Sequence, residues 1–389
     1  MQLTYQEYST RKIVNVHRHV DGPWFWTRYR ATPYVGCRSG CEFCFLRGGR
    51  YLGRRDPDTL DTVIQVKTNA AELLRKELSR LEPDVIACGD WQRPAEDRYR
   101  LSRSMLEVVL ELGFPLLVVE RSPLLTRDLD LLTEINRRSW VGVLYSLSSV
   151  DPTLNRAFEP RGPGMARRLA AMETLAAAGI LVGTALMPII PFAGDDEAHL
   201  DAAVRVTRDH GGSFVLAGGL TMEGPQAART LDAARRLDPG LEASWRRLYA
   251  WGEAGQPRYG PPASYGSRLG LTVRDLCARH GLRDRMPRYI APGPLAPNKR
   301  IAERLFLTTY DLELAQADES RIWAYRKAAW TVDEWTESVA AIYHARGEAG
   351  LQMLPNIGRG LAAEIARWLR MDGSAGFDGG PRSARAAEV

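Results

Sequence analysis

Three cysteines lie close together near the start of the chain, in the segment from Tyr34 to Arg47. Cys37, Cys41 and Cys44 have the spacing C-x3-C-x2-C, and glycine and aromatic residues flank them. Thiolates at this spacing can close around one soft metal centre from a single loop. A zinc site normally takes a fourth Cys or His from nearby sequence, and none follows within the usual distance. Three thiolates with an open position therefore favour a [4Fe–4S] cluster whose fourth iron binds a substrate.

The composition is that of a globular protein in a reducing compartment. Of the 389 residues, 45% are hydrophobic and 25% are charged, and this length predicts two domains. The chain has five cysteines, three of them clustered, so we expect no disulfide framework and a cytoplasmic location. The first residues are polar and no apolar run approaches about 18 residues, so we expect neither a signal peptide nor a transmembrane helix.

Positive charge is concentrated in residues 1–55, which hold ten Lys or Arg and three acids, a balance of +7. Aromatic rings lie among these charges, namely Trp24, Phe25, Trp26, Tyr29 and Tyr34. Cations for phosphates and rings for stacking are typical of a surface that binds nucleic acid. The alternative is an ordinary solvated face with a few buried rings.

Strand-like and helix-like segments alternate between residues 30 and 220. The apolar strand-like runs are Asp84–Cys88, Pro115–Val119, Trp140–Leu147, Leu181–Met187 and Ser213–Ala217. The helical stretches between and after them are Asn69–Leu81, Leu101–Leu112, Leu129–Arg137, Met165–Ala178 and Glu197–His210. With a first strand before Cys37, this order predicts an α/β fold, a partial (β/α)6 barrel whose active residues lie on loops at the carboxyl ends of the strands.

Five segments follow from this pattern. They are a basic and aromatic segment at 1–29, the barrel at 30–220, an extension with a proline-rich linker at 221–297, a small all-α domain at 298–371 and a disordered tail at 372–389.

The cysteine spacing resembles that of the radical S-adenosylmethionine superfamily, and residues 30–220 resemble the spore photoproduct lyase family. The similar stretches are Cys88-Gly-Asp90-Trp-Gln-Arg-Pro94-Ala-Glu96, Glu120-Arg121-Ser-Pro, Tyr145-Ser146-Leu, Phe158-Glu159-Pro160 and Met187-Pro-Ile-Ile-Pro191. This resemblance implies that an electron from the cluster cleaves S-adenosylmethionine to a 5′-deoxyadenosyl radical. It also implies an electron donor such as flavodoxin or ferredoxin.

The same resemblance implies a set of residues that bind S-adenosylmethionine. Asp90 is placed to accept from its ammonium group, Arg121 stands where relatives carry lysine and would pair with its carboxylate or ribose, and Ser146 would bond to the same groups. The alternative for each is a cap or salt bridge at the rim of the barrel.

Glu159 is a fourth residue that the resemblance assigns to cofactor binding. Its carboxylate would orient either Arg161 or Arg168. The sequence leaves open which of the two arginines it meets.

Cys88 is the candidate catalytic residue, because relatives use a cysteine at the end of this strand to donate a hydrogen atom to a substrate radical. The alternative is a small buried residue, which is what most free cysteines are. Tyrosines near the cluster of the known lyase correspond here to Phe43 and Phe45, which have no O–H to give. Cys277 has no motif around it and is interpreted as structural.

Residues 298–370 resemble the helix-hairpin-helix domain at the N-terminus of family X DNA polymerases. The similar runs are Trp323-Ala-Tyr325-Arg326-Lys327-Ala-Ala329 and Leu354-Pro355-Asn356-Ile357-Gly358-Arg359-Gly360-Leu361. A glycine hairpin before a helix presents backbone N–H groups to a phosphate and binds DNA without reading its sequence. The resemblance therefore implies DNA contacts by Arg326, Lys327, Gly358, Arg359 and Gly360.

Two departures limit this comparison. Asn356 replaces the first hairpin glycine, although asparagine tolerates the left-handed conformation. Glu364 stands where lyases of that family carry their Schiff-base lysine, so we expect no such lyase chemistry. Residues 298–371 hold ten cations and ten acids, and a protein–protein docking module is the alternative.

These observations favour a radical S-adenosylmethionine enzyme that acts on DNA, repairing or modifying a base. A second interpretation keeps the radical chemistry but gives it RNA or a peptide as substrate. A third is a non-catalytic DNA-binding protein whose iron–sulfur cluster is structural or senses redox state.

Overall fold

The computed structural model describes residues 3–20, 22, 24–252 and 255–374. The chain divides into two compact units, residues 1–289 and residues 290–389. The predicted disordered tail lies outside the described residues from residue 375 onwards.

The strands of the described residues all belong to the first unit. They are β1 Thr4–Tyr8, β2 Asn15–Val16, β3 Tyr29–Ala31, β4 Tyr34–Val35, β5 Val63–Lys67, β6 Ile86–Cys88, β7 Leu116–Glu120, β8 Val141–Leu147, β9 Leu181–Ile189 and β10 Val215–Gly219.

Helices of the first unit follow most of these strands. They are α1 Gly49–Leu52, α2 Ala70–Leu78, α3 Ala95–Tyr99, α4 Leu101–Leu112, α5 Leu129–Arg138, α6 Pro152–Phe158, α7 Met165–Ala177, α8 Glu197–Asp209, α9 Gly224–Leu237, α10 Gly240–Leu248 and α11 Ala263–Arg279. Two short 3-10 helices span Phe45–Arg47 and Pro123–Asp128.

The main sheet has the strand order β10-β9-β8-β7-β6-β3-β2. Neighbours are parallel from β10 to β3, and only the edge strand β2 is antiparallel to its neighbour β3. Six parallel strands with helices in the connections form the predicted partial (β/α)6 barrel, which is thereby confirmed. The predicted strand before Cys37 is β3, at Tyr29–Ala31.

Helices α2, α4, α5 and α7 cover the outer face of this sheet. Their apolar stripes, which include Leu74, Leu106, Leu132 and Met172, are fully buried in one hydrophobic cluster with the strands. A stripe of this kind recurs every three or four residues and turns one side of a helix toward the sheet. The opposite face of the sheet is left for side chains that line the interior of the barrel.

A second sheet of three strands, in the order β1-β5-β4, supports the segment with the three cysteines. Strand β5 is parallel to β1 and antiparallel to β4, which ends two residues before Cys37. This sheet was not predicted. Its apolar side chains Ile64 and Val66 alternate with partly exposed residues, as expected for a sheet that is covered on one face.

The second unit consists of four helices in the described residues. They are α12 Ala296–Leu314, α13 Glu319–Glu334, α14 Val339–Gln352 and α15 Arg359–Ser374. Helix α12 packs on α13, and α14 packs on α15. Asn356, between α14 and α15, has the left-handed φ of 61° that the glycine it replaces would adopt easily. Among the described residues of the whole chain, we find no helix with the length and apolar character needed to cross a membrane.

Candidate active site

A cavity of about 640 Å³ opens inside the barrel, and all three clustered cysteines line it. The carboxyl ends of β7 and β8 contribute Arg121 and Ser146 to the same wall. Cys88, at the end of β6, is also among the lining residues. Phe43 and Phe45 line it as well, so the structure brings these candidate residues from the sequence together in one cavity.

The cysteine loop has a fixed backbone path. Gly36 has a φ of 95°, and a Cβ atom there would lie 2.6 Å from the carbonyl oxygen of Val63. Only glycine fits so close to a neighbouring strand with this φ. The backbone N–H of Cys37 donates to Leu60 at 2.8 Å, which ties the first cysteine to the turn before β5.

Buried charges hold the loop from one side. Arg47 is 2% exposed and Asp61 is 4% exposed, and their side chains pair at 3.3 Å between Nη2 and Oδ1. The guanidinium of Arg47 also donates to the carbonyl oxygens of Pro57 at 3.0 Å and Cys41 at 3.3 Å. Arg161 pairs with the other oxygen of Asp61 and donates to the carbonyl oxygen of Arg38 at 3.0 Å. Asp61 thereby fixes both ends of the cysteine loop.

Helix α9 holds the loop from the other side. Glu42, between the second and third cysteines, pairs with Arg229 at 2.5 Å and with Arg236 at 3.4 Å. The hydroxyl of Thr230 donates to the backbone oxygen of Glu42 at 3.0 Å, and Gln226 donates to that of Phe43 at 3.4 Å. We call Arg47, Asp61, Arg161, Glu42, Arg229 and Arg236 the loop clamp.

The three cysteines carry thiols that are free to bind a metal centre. All three are free thiols, and burial raises the pKa of Cys37 to about 11 and that of Cys41 to about 12. Such thiols stay protonated until a metal displaces the proton. Within the described part of the chain, no group of three His, Cys, Asp or Glu side chains is arranged around the position of one ion. Cysteines that bind different irons of one cluster are spaced more widely than the ligands of one ion.

Arg121 is a charged residue in direct contact with the cysteine loop. Its side chain contacts the sulfur of Cys41, donates to the hydroxyl of Ser146 at 3.3 Å and pairs with Glu159 at 3.3 Å. Although burial alone would raise it, the pKa of Glu159 is lowered by the charges of Arg121 and Arg168. Glu159 does not line the cavity, and its role in this geometry is to support Arg121 from behind.

The second partner of Glu159 is Arg168, with which it forms a buried ion pair. Arg168 also donates to the backbone oxygen of Ser146 at 3.0 Å. Of the two arginines that the sequence left open, the structure places Arg168 against Glu159, whereas Arg161 belongs to the loop clamp.

Asp90 lies in the turn after β6 and is held by its neighbours. Its carboxylate accepts from the backbone and side chain of Gln92, at 3.1 and 2.9 Å, and Gln92 also donates to the carbonyl oxygen of Gly36 at 2.9 Å. Burial, and then the charge of Glu120, raises the pKa of Asp90 to about 8. Asp90 is not among the residues that line the cavity, and no ion pair partner stands beside it in the described residues.

Cys88 lies at the boundary between the cavity and the hydrophobic cluster under the helices. It is 4% exposed, belongs to that cluster and pairs in register with Ala31 of β3. Burial raises the pKa of its thiol to about 12, so the sulfur keeps its hydrogen at neutral pH. Cys277, by contrast, is buried between β9, α8 and α11, away from the cavity.

Several cavity residues were missed by the sequence analysis. One of them is Tyr51, whose ring meets that of the 46% exposed Phe45 edge to face at 5.1 Å, so a tyrosine does lie beside the cysteines. Tyr259, His17 and Arg30 line the same cavity. For His17 and Arg30, the only signal in the sequence was the basic and aromatic composition of the first 55 residues.

No protein-family profile matches the chain. The solved structure of spore photoproduct lyase complexed with dinucleoside spore photoproduct superposes with a TM-score of 0.52 and 18% identity, over 72% of this chain and 81% of that one. At this identity the similarity establishes the fold. An uncharacterized protein of Methanocaldococcus jannaschii, MJ0683, is 25% identical over 165 residues, or 42% of this chain and 61% of that protein.

A higher similarity is found in mycobacteria. The uncharacterized proteins Rv2578c of Mycobacterium tuberculosis and Mb2609c of Mycobacterium bovis are each 33% identical to this chain over 263 residues. The matched region covers 66% of this chain and 75% of each relative. The chain therefore belongs to the same family as the mycobacterial protein Rv2578c.

Proposed function

We propose that the chain is a radical S-adenosylmethionine enzyme that acts on DNA, repairing or modifying a base. The observation that carries this proposal is the shared cavity of Cys37, Cys41, Cys44, Arg121 and Ser146 at the carboxyl ends of parallel strands. Active residues of barrel folds gather at this end of the strands. The fold similarity to spore photoproduct lyase supports the same class of chemistry.

The three cysteines would hold a [4Fe–4S] cluster, and S-adenosylmethionine would lie beside it. When bound, the cluster supplies the electron that cleaves S-adenosylmethionine to a 5′-deoxyadenosyl radical. Arg121 and Ser146 present donors toward the cavity, which suits the carboxylate or ribose of that cofactor. Asp90 is a partly buried carboxyl with a raised pKa, and a neighbouring ammonium group would favour its ionised form.

The variant Arg121→Ala should bind S-adenosylmethionine more weakly by about 1.5–3 kcal/mol, the range for a hydrogen bond to a charged group. Isothermal titration of the reconstituted protein measures this loss. The matched control is Arg80→Ala, because Arg80 is an exposed arginine just after α2. An affinity equal to that of the wild type, at equal iron content, would remove Arg121 from the cofactor site.

Cys88 is the proposed hydrogen-atom donor to the substrate radical. Its S–H bond is weak, its thiol is protonated at neutral pH, and it lies on the cavity wall. In Cys88→Ala we expect normal iron content and normal 5′-deoxyadenosine, with less product or with side products. Cys277→Ala is the control for removal of a buried thiol. An identical product yield in both variants would mean that Cys88 only packs.

The second unit is proposed to bind DNA through phosphates. Helix α15 begins at Arg359, directly after Gly358, and the first N–H groups of a helix lack partners within the helix. Gly360 lies in the same first turn. The guanidinium of Arg326 lies over the ring of Trp323 at 4.9 Å and pairs with Glu313, so a phosphate would compete with that carboxylate. Lys327 follows on the same helix.

The variant Gly358→Val should lower the affinity of the full chain for duplex DNA at low salt. A β-branched side chain at this hairpin obstructs the approach of a phosphate to the backbone. Fluorescence anisotropy at several salt concentrations gives the affinity and its salt dependence. Gly252→Val serves as control, since a Cβ atom at Gly252 also meets nothing within 4 Å. Undiminished binding, or capture of a protein partner by the second unit, would favour the docking alternative.

The proposal as a whole is tested by product analysis. The reduced, reconstituted enzyme is incubated with S-adenosylmethionine and with either irradiated or unirradiated DNA. The DNA is then digested and its nucleosides are analysed by mass spectrometry. We expect a DNA nucleoside that changes only when S-adenosylmethionine and reductant are both present. Unchanged DNA together with a changed RNA or peptide in parallel incubations would transfer the chemistry to that substrate.

A further inference from the structure

The cavity is positively charged along its walls. Its lining includes His17, Arg30, Arg47 and Arg121, whereas none of the described lining residues is an Asp or Glu. A concave site lined by one sign of charge, with low-dielectric walls, concentrates ligands of the opposite sign. The cavity as built therefore favours an anionic substrate.

The three arginines among these residues differ in whether their charge is already compensated. Arg47 is buried and paired with Asp61, and Arg121 is paired with Glu159. Arg30 is exposed, and its guanidinium has neither an ion pair nor a hydrogen bond among the described residues. Its charge is therefore available to a ligand.

Arg30 and Arg121 come from different strands that line the cavity. Arg30 is in the middle of β3, in register with Ala87 of β6, while Arg121 follows the last residue of β7. Strand β3 is next to the antiparallel edge strand β2, at the side where the barrel stays open. Arg30 thus lies on the open side, and Arg121 lies with the cysteines.

His17 adds a hydrogen-bonding group next to Arg30. It follows the edge strand β2, where its backbone N–H donates to Arg28 at 2.9 Å, and its side chain lines the cavity. Burial, and then the charges of Arg30 and Arg28, lowers the pKa of His17, so that the ring is a neutral hydrogen-bond donor at pH 7. Aromatic rings line the same cavity, among them Phe25 and the exposed Tyr259.

We propose that Arg30 and His17 form an anion-binding subsite that holds a phosphodiester group of a nucleic-acid strand, on the open side of the barrel and apart from the cofactor. The inference rests on the proposed function, because it gives the substrate of that same cavity a phosphate anchor. Rings beside a cation suit a strand whose bases are unpaired and can stack. Arginine offers a phosphate two parallel donors, and a neutral histidine adds one more.

The test is the salt dependence of binding by the full chain. A short, fluorescently labelled single-stranded DNA is titrated with wild type, Arg30→Gln, Arg30→Lys and the control Arg80→Gln, and log K is plotted against log salt. Loss of one phosphate contact should reduce the slope by about 0.7 in Arg30→Gln. Arg30→Lys should keep the slope, because lysine keeps the charge, and Arg80→Gln should keep it because Arg80 is exposed outside the cavity.

A parallel titration with S-adenosylmethionine separates the two anions that could meet Arg30. We expect its affinity to be unchanged in Arg30→Gln. If the salt dependence of DNA binding by Arg30→Gln equals that of the wild type, the proposal is wrong. It is also wrong if Arg30→Gln loses affinity for S-adenosylmethionine while this salt dependence stays unchanged, because Arg30 would then hold the carboxylate of the cofactor. Failure of the proposed function gives a different result, namely no 5′-deoxyadenosine in any variant.

Discussion

We expect the variant Cys41→Ala to retain no [4Fe–4S] cluster after anaerobic reconstitution, whereas the wild type should retain about four irons per chain. Cys41 is the most buried cysteine of the loop, at 5% exposed, and its backbone oxygen accepts from the buried Arg47. Three cysteines bind three of the four irons and leave the fourth open for S-adenosylmethionine. Removal of one of them leaves two irons without a protein ligand, and the cluster is lost.

The control for this result is Cys277→Ala, which removes a buried thiol of the same unit outside the cavity. It should retain iron and sulfide at the wild-type level. Iron and acid-labile sulfide are measured together with the visible absorption of the cluster. Full retention of both in Cys41→Ala would exclude a site built on these three cysteines.

We expect the variant Asp61→Ala to destabilise the iron-free chain by about 3–5 kcal/mol, the usual cost of removing one partner of a buried ion pair. Asp61 is 4% exposed and faces Arg47, which is 2% exposed. Without the carboxylate, the charge of Arg47 stays buried with only backbone carbonyl oxygens around it. Arg161 loses its partner as well, so the first and last parts of the cysteine loop are released together.

Urea unfolding of the iron-free chain measures this loss. The matched control is Asp58→Ala, an exposed aspartate in the same turn, for which we expect a change within about 0.5 kcal/mol. We also expect Asp61→Ala to reconstitute less iron than Asp58→Ala, because its loop is no longer held open for the cluster. Equal unfolding midpoints for the two variants would show that the loop clamp contributes nothing to stability.

The barrel could be predicted from the sequence because its signals are local. Each parallel strand is a short apolar run, and each helix that follows shows its own period, so β6 to β10 were found within a few residues of their ends. Even β3, which has three residues, was expected from the position of the cysteines. The α/β fold class was therefore confirmed.

The small sheet and the loop clamp could not be predicted, because their partners are distant in sequence. Strand β1 has polar residues at most positions and pairs with β5, more than fifty residues later. From the sequence, Glu42 and Asp61 look like ordinary surface acids. In the folded chain they form ion pairs with Arg161, Arg229 and Arg236. Charge pairs of this kind leave no periodic pattern in the sequence.

For the site itself, the sequence predicts the type of chemistry better than it predicts which side chains line the cavity. The cysteines, Arg121 and Ser146 share one cavity, as the resemblance implied. Asp90 and Glu159 are not among the residues that line the cavity, although Glu159 pairs with Arg121, which does line it. Their assignment to cofactor binding remains a prediction.

The formation of 5′-deoxyadenosine tests the central claim most directly. The wild-type chain is reconstituted anaerobically, reduced with dithionite and mixed with S-adenosylmethionine, and the nucleoside is quantified by mass spectrometry. We predict 5′-deoxyadenosine in the wild type and in Cys277→Ala, and none in Cys41→Ala. A wild-type chain that holds about four irons and binds S-adenosylmethionine, yet releases no 5′-deoxyadenosine with or without DNA, would contradict the assignment as a radical enzyme.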